Sequence, residues 1–247
     1  MDLSRPLIAS RPAPHADPAR GIFETLLVHR GEAIEQARHI ARLRAGAGAL
    51  YGRAVGEALE RAVSAAASGH ELARMRISLH PGAPAPEIGL APHDPAAILP
   101  ADEVALALVT VDGGPGPQKL IDRRWIDAIE ADAGPGARPL LLTRAGALLE
   151  TTRANVFLLR DGELATPPLD GSILPGVTRA VVLERARALG VAAREATLTL
   201  ADLASADAVL LSGSLRLLER ARVRPGARRS RHVAEALAAA LDVRERH

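Results

Sequence analysis

Apolar residues recur along the chain at spacings that predict both strands and helices. Residues 73–79 alternate apolar and polar positions, which is typical of a half-buried strand, and residues 21–29 show a similar alternation followed by a possible hairpin return at 32–34. Residues 37–50 place apolar side chains at helical spacing. The same patterns predict strands at 104–111, 139–143, 155–159, 163–165, 192–196 and 208–211, and helices at 56–67, 124–131, 178–189 and 233–241. Residues 1–20 are expected to be irregular.

Strands and helices are mixed throughout, and no internal repeat is visible. This order predicts an α/β (α+β) fold in two lobes. The Gly/Pro cluster at 112–118 is the best candidate for a linker between them. We therefore expect a smaller N-terminal α/β domain over 1–111 and a larger C-terminal domain over 119–247.

Composition excludes several function classes. The 247 residues contain no cysteine, which rules out disulfide scaffolds, thiolate zinc sites and cysteine nucleophiles. The eight histidines lack metal-ligand spacing, so no metal is expected. No nucleotide-binding glycine motif or serine-hydrolase elbow occurs. Apolar runs are too short to span a bilayer and the N-terminus does not resemble a secretory signal, so we expect a cytoplasmic protein without membrane contact.

Net charge leaves a nucleic-acid-binding module as one alternative. The chain has a formal charge of +2 and a sequence pI near 9.8, and arginines concentrate in residues 216–231. However, aromatic residues are only 2% of the chain, which leaves few side chains to stack on bases. A solvated, arginine-rich surface explains this stretch better, and no nucleic-acid partner is expected.

Lysine usage is the most informative feature of the composition. Of 31 basic residues, only Lys119 is a lysine. Arginine substitutes for lysine on most surfaces, but its guanidinium cannot lose its proton at physiological pH, whereas an amine can. A position that keeps lysine in this background is a candidate for amine chemistry, Schiff-base formation first of all, although chance retention is the alternative.

Two other segments have local features with more than one interpretation. Residues 171–179 (GSILPGVTR) combine a Pro-Gly turn with the start of a predicted helix, where Thr178 is a candidate N-cap. Such a turn can bind a phosphate, or it can simply connect two elements. Glu150 precedes a predicted strand and either partners a protonated ring nitrogen or lies on a surface turn, which is the simpler interpretation from its local sequence.

The order of these segments resembles the class IV aminotransferases, the fold-type IV pyridoxal phosphate enzymes. The resemblance covers residues 21–225. The motifs that carry it are GIFETL, His39-x-x-Arg42-Leu43, Lys119 after a linker, Glu150-x4-Asn155-Val156-Phe157, LPGVTR and the SGS at 212–214. The family includes branched-chain aminotransferases, D-amino-acid aminotransferases and 4-amino-4-deoxychorismate lyase.

The resemblance implies a role for each matching residue. Lys119 would form the internal aldimine with pyridoxal 5'-phosphate and later move the substrate proton, which agrees with the lysine argument. Glu150 would pair with the pyridine nitrogen. The phosphate would be bound by Arg42, by the backbone of Val177 and Thr178, and by Ser214. The resemblance also implies two α/β lobes with the cofactor between them, usually in a homodimer.

Within the family, the sequence favours the lyase, which releases pyruvate and 4-aminobenzoate for folate synthesis. The chain is short, and the tyrosine that branched-chain enzymes carry shortly after the lysine is absent, while Arg123 is compatible with the lyase branch. An amino-acid aminotransferase for branched-chain or D-amino acids is the alternative. Candidate contacts to a small-molecule amino substrate are Phe23, Thr25, Arg76 and Arg123.

Overall fold

The chain folds into two compact α/β units. The computed structural model describes residues 8–11, 16–222 and 231–243. One unit comprises the first strand, Leu99–Pro117 and Arg124–Asp242, and the other comprises residues 16–98 and Gln118–Arg123. In chain order the strands are β1 (Ile8–Arg11), β2 (Ile22–His29), β3 (Glu32–Ala33), β4 (Leu72–Leu79), β5 (Glu87–Pro92), β6 (Val104–Val111), β7 (Ala137–Leu142), β8 (Leu148–Thr151), β9 (Asn155–Arg160), β10 (Glu163–Thr166), β11 (Ala193–Glu195), β12 (Ala208–Gly213) and β13 (Leu217–Arg222). The α-helices are α1 (Gln36–Tyr51), α2 (Ala58–Ala67), α3 (Arg124–Ala133), α4 (Val177–Ala188), α5 (Leu200–Ser205) and α6 (Arg231–Leu241).

The smaller unit is an antiparallel sheet in the order β3-β2-β4-β5, with α1 and α2 on one face. Alternate residues of β2 and β4 pack against these helices in one apolar core. Its fully buried members include Leu26, Val28, Ile40, Val63, Met75 and Ile77. The intervening residues of the same strands point to the opposite face, where Thr25 pairs with Arg76 and Phe23 with Ser78.

The segment that follows the Gly/Pro cluster pairs with the beginning of β2, which β3 leaves unpaired because it contacts only Val28 and His29. Leu120 pairs with Ile22, the Phe23 N–H donates to the Lys119 carbonyl at 2.9 Å, and the Ile121 N–H donates to the Gly21 carbonyl at 2.9 Å. Gly21 has a φ of +107° and lies against the Leu79 carbonyl, so a Cβ there would meet that oxygen at 2.6 Å.

These contacts correct the expected domain boundary. The expected C-terminal domain begins at residue 119, but Gln118–Arg123 belongs with the smaller unit because its backbone bonds to β2. Conversely, β6 lies in the large sheet, where it pairs in parallel with β7 and β13, although the expected N-terminal domain included it. Residues 112–117 belong to the larger unit and the chain enters the smaller unit at Gln118, so β6 and most of the expected linker lie in the larger unit.

The larger unit is built on a sheet of nine strands in the order β11-β10-β9-β12-β13-β6-β7-β8, with β1 paired to β6. An additional pairing of β8 with β9 closes six of these strands into a ring. Apolar residues from β7, β9 and β12 form its main core, among them Leu140, Val156 and Leu211. The ring brings Glu150 directly opposite Asn155 across the β8–β9 pair.

The mixed α/β architecture and most of its elements agree with the sequence prediction. The expectation that residues 1–20 are irregular is wrong at β1, which pairs in parallel with β6. Strands β5, β8 and β13 and helix α5 were not predicted. Within the arginine-rich stretch, Leu217–Arg222 forms β13 between β12 and β6, and residues 223–230 lie outside the described part of the chain.

Candidate active site

Lys119 lies in the segment that pairs with the beginning of β2, and its side chain is on the same face of the small sheet as Phe23. Leu120 packs into the helix-facing core, so the alternation of an extended segment turns Lys119 to the other side. Its Nζ lies 4.9 Å from the centroid of the Phe23 ring. The Arg76 guanidinium stacks on the same ring at 3.9 Å. Two cations therefore share one aromatic side chain.

The amine of Lys119 is easier to deprotonate than an ordinary lysine. Burial lowers its pKa to about 8, the negative charge of Glu24 opposes that change, and Arg42, Arg123 and Arg76 add to it. At pH 7 a fraction of roughly one in ten is then neutral, compared with about one in three thousand for an unperturbed lysine. The predicted amine chemistry therefore has a suitable group at this position.

A buried ionic cluster links β2 to α1. Both carboxylate oxygens of Glu24 accept from Arg42, at 2.7 Å from Nε and 2.6 Å from Nη2. The Nδ1–H of His39 donates to the same carboxylate at 2.8 Å, since an ionised carboxylate can only accept. His39 and Arg42 reach one partner because residues three apart on a helix lie on one side. Glu24 and His39 are each 1% exposed.

Opposing effects set the charges of this cluster. Burial acts to raise the pKa of Glu24, but the hydrogen bonds from Arg42 and His39 outweigh it and lower that pKa to about 2. Burial lowers the pKa of His39, although Glu24 acts in the opposite direction. At neutral pH the cluster is therefore an ionised Glu24–Arg42 pair backed by a neutral imidazole.

Glu150 is the buried acid of the larger unit. It is 4% exposed, which corrects the surface-turn interpretation of its local sequence. One oxygen accepts from the Asn155 side-chain amide at 2.8 Å and the other from the Leu174 N–H at 3.0 Å. Asn155 also donates to the Leu174 carbonyl at 2.9 Å. The two ends of the Glu150-x4-Asn155 motif are therefore joined to the LPGVTR turn.

The start of α4 lies beside this acid. Gly176 is the N-cap, with no side-chain cap, and a Cβ on it would overlap Oδ1 of Asn155. The suggestion that Thr178 caps the helix is wrong, because Thr178 already lies within the first turn. Val177 and Thr178 are both buried. Their backbone N–H groups are at the helix end that favours anions.

A second buried polar group near Glu150 was not found from the sequence. Ser212, on β12, pairs across the sheet with Asn155. It is 2% exposed, and its hydroxyl has no hydrogen-bond partner within the described residues. Ser214, which the resemblance selects, lies in the turn after β12. An unpartnered buried hydroxyl beside the Asn155 position marks a place where a bound group could supply an acceptor or donor.

The predicted site residues therefore fall into two groups. The smaller unit brings together Lys119, Arg42, Phe23, Thr25, Arg76 and Arg123. The larger unit contains Glu150, Val177, Thr178 and Ser214. Sequence analysis did not select Glu24, His39 or Ser212 as site residues. Glu24 could have been selected from the sequence, because it is a charged residue among the apolar positions on one side of strand β2.

Neither a candidate metal site nor a candidate membrane span is found among the described residues. No group of three or more potential metal ligands is found in 8–11, 16–222 and 231–243. In the same residues no helix combines the length and apolar character needed to cross a bilayer.

One family model matches most of the chain, and individual curated relatives match shorter parts of it. The family model for amino-transferase class IV matches residues 21–222. A branched-chain-amino-acid aminotransferase of Escherichia coli K12 is 41% identical over 69 residues, covering 28% of this chain and 22% of the relative. A "Putative branched-chain-amino-acid aminotransferase" of Methanocaldococcus jannaschii is 38% identical over 86 residues, covering 35% and 30%. The chain thus aligns with less than a third of the length of these curated relatives.

Solved structures match nearly the whole fold. A hypothetical aminotransferase from Mycobacterium tuberculosis in its PLP-bound form has a TM-score of 0.78 and 26% identity, with 94% of this chain and 93% of that chain covered. A "Putative 4-amino-4-deoxychorismate lyase" from Legionella pneumophila has a TM-score of 0.71 and 19% identity, with 92% and 96% covered. The latter likeness supports the fold alone.

Proposed function

The chain belongs to the class IV aminotransferase family of pyridoxal-phosphate enzymes, and within it we propose a 4-amino-4-deoxychorismate lyase that releases pyruvate and 4-aminobenzoate. The observation that carries this proposal is the excess of positive charge around the Lys119 amine. The charges acting on it include Arg42, Arg76 and Arg123, and the carboxylate among them, Glu24, is already paired with Arg42. This environment suits an amine substrate with two carboxylates, which aminodeoxychorismate has.

The residues present fit pyridoxal phosphate. A bound pyridoxal phosphate supplies an electron-accepting ring that stabilises negative charge on the carbon next to the substrate nitrogen. In our proposal Lys119 would hold the cofactor covalently, Glu150 would pair with its ring nitrogen, and Arg42, Ser214 and the backbone of Val177 and Thr178 would bind its phosphate. Three observations support this fit. The Ser212 hydroxyl has no partner within the described residues, the Glu150 carboxylate is fixed by a backbone N–H, and Gly176 places no side chain at the start of α4.

The site residues have different tasks in this proposal. With the cofactor bound, the neutral fraction of Lys119 would be the nucleophile, and its Nζ, once free again, would take the proton from the substrate carbon that bears nitrogen. Asn155 and the Leu174 N–H fix the orientation of Glu150 from two sides, so that its carboxylate does not have to reorganise during the reaction. The buried ring of Phe23 contacts both Lys119 and Arg76 and so holds these two cations close to one another.

The second candidate is an amino-acid aminotransferase. The likeness to the mycobacterial aminotransferase, at 26% identity over 94% of this chain, favours it, as do the aligned segments of the branched-chain enzymes. The two functions differ in their products. A lyase releases pyruvate in every turnover without a second substrate, whereas an aminotransferase needs a keto-acid acceptor to regenerate its cofactor.

The test is product release from freshly generated aminodeoxychorismate by the cofactor-loaded protein. The lyase predicts 4-aminobenzoate and pyruvate in equal amounts, with Lys119→Arg as the blank. No release from loaded protein, together with amino transfer to a keto acid, would replace the lyase by the aminotransferase.

The proposal extends to assembly and setting. We propose a homodimer, as the family resemblance implies, and a role of the lyase in folate synthesis in the cytoplasm. Sedimentation at micromolar concentration should give about twice the chain mass of 25.9 kDa. A deletion strain should require 4-aminobenzoate for growth, and a strain that grows equally well without it would contradict the folate role.

A further inference from the structure

The Gly/Pro cluster at 112–118 packs against the larger unit over its middle part. Gly114, Pro115 and Gly116 are half-buried. The Gly116 N–H donates to the Ser172 carbonyl at 3.1 Å. Gly114 lies so close to the same carbonyl that a Cβ added to it would be 1.8 Å from the oxygen. The cluster is therefore bound to a specific peptide group of the larger unit.

Close approach, and not backbone conformation, requires glycine at position 114. The φ of Gly114 lies outside the left-handed region, so other residues could adopt this backbone. However, a Cβ would overlap the Ser172 carbonyl oxygen and lie 2.7 Å from the carbonyl carbon. These are backbone atoms, which cannot rotate away as the end of a side chain can. A side chain at 114 must therefore displace either Ser172 or the cluster itself.

Asp170 holds Ser172 from its other side. The Asp170 carboxylate accepts from the Ser172 N–H at 2.9 Å and from the Ser172 hydroxyl at 2.5 Å. The carbonyl of Ser172 thus bonds to the cluster, while its N–H and hydroxyl bond to Asp170. Both peptide groups of Ser172 are therefore fixed in orientation.

Two residues further on, the same segment supplies a donor to the buried acid Glu150. The Leu174 N–H donates to Glu150 at 3.0 Å, and the Leu174 carbonyl accepts from Asn155 at 2.9 Å. Ile173 is 1% exposed and packs in an apolar cluster, which leaves it little room to absorb a shift of its neighbours. A displacement of Ser172 is therefore transmitted to Leu174, and from there to the Glu150 carboxylate.

We infer that Gly114 is a positioning residue for the cofactor: by holding the Ser172 carbonyl, it places the Leu174 N–H that orients Glu150 and so strengthens the pairing of Glu150 with the ring nitrogen. The Gly/Pro cluster then does more than connect the two units. The inference rests on the proposed function only in taking Glu150 as the partner of that nitrogen. It holds equally for a lyase and for an aminotransferase.

The first test follows the Leu174 N–H of the cofactor-free protein by amide hydrogen exchange. This N–H is protected by its bond to Glu150, so its exchange rate reports on that bond. Gly114→Ala should speed exchange at Leu174 by about tenfold or more, because the added Cβ displaces Ser172 and weakens the bond.

Two further variants make this test specific. Asp170→Ala leaves the cluster intact but removes the contacts that hold Ser172 from its other side, so it should also speed exchange at Leu174. Val63→Ala is the matched control, because it removes methyl groups from the fully buried core of the smaller unit and so lowers stability elsewhere. It should leave exchange at Leu174 unchanged.

The second test measures the pairing of Glu150 with the ring nitrogen. Cofactor-free protein is titrated with pyridoxal phosphate and with the analogue in which carbon replaces the ring nitrogen. The unaltered protein should bind pyridoxal phosphate about tenfold to a hundredfold more tightly than the analogue, as expected for a hydrogen bond to a charged group. Gly114→Ala should reduce this ratio by about threefold or more, and Val63→Ala should not change it. Glu150→Ala gives the ratio without pairing.

The outcomes separate this inference from the proposed function. Unchanged exchange at Leu174 or an unchanged binding ratio in Gly114→Ala, or equal effects in Val63→Ala, would overturn the positioning role. Asp170→Ala decides in the same way if Gly114→Ala does not fold. A ratio near one in the unaltered protein would refute Glu150 as the ring partner and the inference with it. A reduced ratio in Gly114→Ala, in an enzyme whose unaltered form releases no 4-aminobenzoate, would retain the inference and refute the lyase.

Discussion

Replacing Glu24 by glutamine tests the buried ionic cluster that anchors α1 to β2. The substitution keeps the size of the side chain but removes the negative charge that both Arg42 and His39 contact. Arg42 is 12% exposed at its side chain and Glu24 only 2%, so water cannot replace the lost partner effectively. Removing one partner of a buried ion pair typically lowers the free energy of unfolding by about 3–5 kcal/mol.

The pKa of Glu24 gives a second measure of the same quantity. A carboxyl group with an ordinary pKa of 4.5 that titrates at about 2 in the folded protein contributes about 3 kcal/mol to stability at neutral pH. Because the folded-state pKa is the lower one, this contribution is complete above pH 4.5 and is lost as the pH falls from 4.5 through 2. The two figures agree, so Glu24→Gln should lower the free energy of unfolding by about 3 kcal/mol at pH 7.

The assay is denaturant unfolding of both proteins between pH 7 and pH 3. The difference between them should be constant down to about pH 5 and then narrow as Glu24 of the unaltered protein begins to titrate. Glu60→Gln is the matched control, because Glu60 also accepts two hydrogen bonds from one arginine, Arg44, but its side chain is 37% exposed. It should leave stability nearly unchanged. A difference below 1 kcal/mol at pH 7 for Glu24→Gln, or one that does not narrow in acid, would refute the reasoning.

Three further predictions concern the two groups of site residues. Reaction of the Lys119 amine of the cofactor-free protein with an aldehyde reagent should rise with pH to a midpoint near 8, since the amine must lose its proton to react, and a midpoint near 10.5 would contradict the effect of burial. Asn155→Leu should lower the free energy of unfolding by about 1–3 kcal/mol, because the Glu150 carboxylate loses a hydrogen-bond donor. The same variant should bind the cofactor more weakly in a fluorescence titration, and an unchanged affinity would exclude Asn155 as the residue that positions Glu150. Gly114→Ala should lower stability by about 1–3 kcal/mol, because its Cβ would overlap the Ser172 carbonyl oxygen, whereas Gly56→Ala, into open space, should not.

The elements with one buried face could be predicted from the sequence. Strand β4 alternates because one face packs on α1 and α2, and α1 itself repeats apolar residues for the same core. Strand β13 was missed since three of its six residues are charged, and its place is set by pairing with β12 and β6. Strand β8 has only four residues, too few to show a period.

The candidate site was predicted in part, and the limits are physical. Lys119 could be selected because the composition leaves one lysine, and the matching motifs place the chain in its family. The sequence could not predict which structural unit Lys119 belongs to, because that depends on backbone hydrogen bonds to β2, almost a hundred residues earlier in the chain. The burial of Glu150 also depends on a distant partner, Leu174. The roles assigned to the individual residues stay predictions.

Borohydride reduction of the pyridoxal-phosphate-loaded protein, followed by peptide mapping, tests the central claim that Lys119 carries the cofactor. A reduced adduct on Lys119 prevents tryptic cleavage there, so the account predicts a cofactor-labelled peptide over residues 77–123, bounded by Arg76 and Arg123. Label confined to the N-terminal amine, or absent from protein that still binds the cofactor, would contradict it.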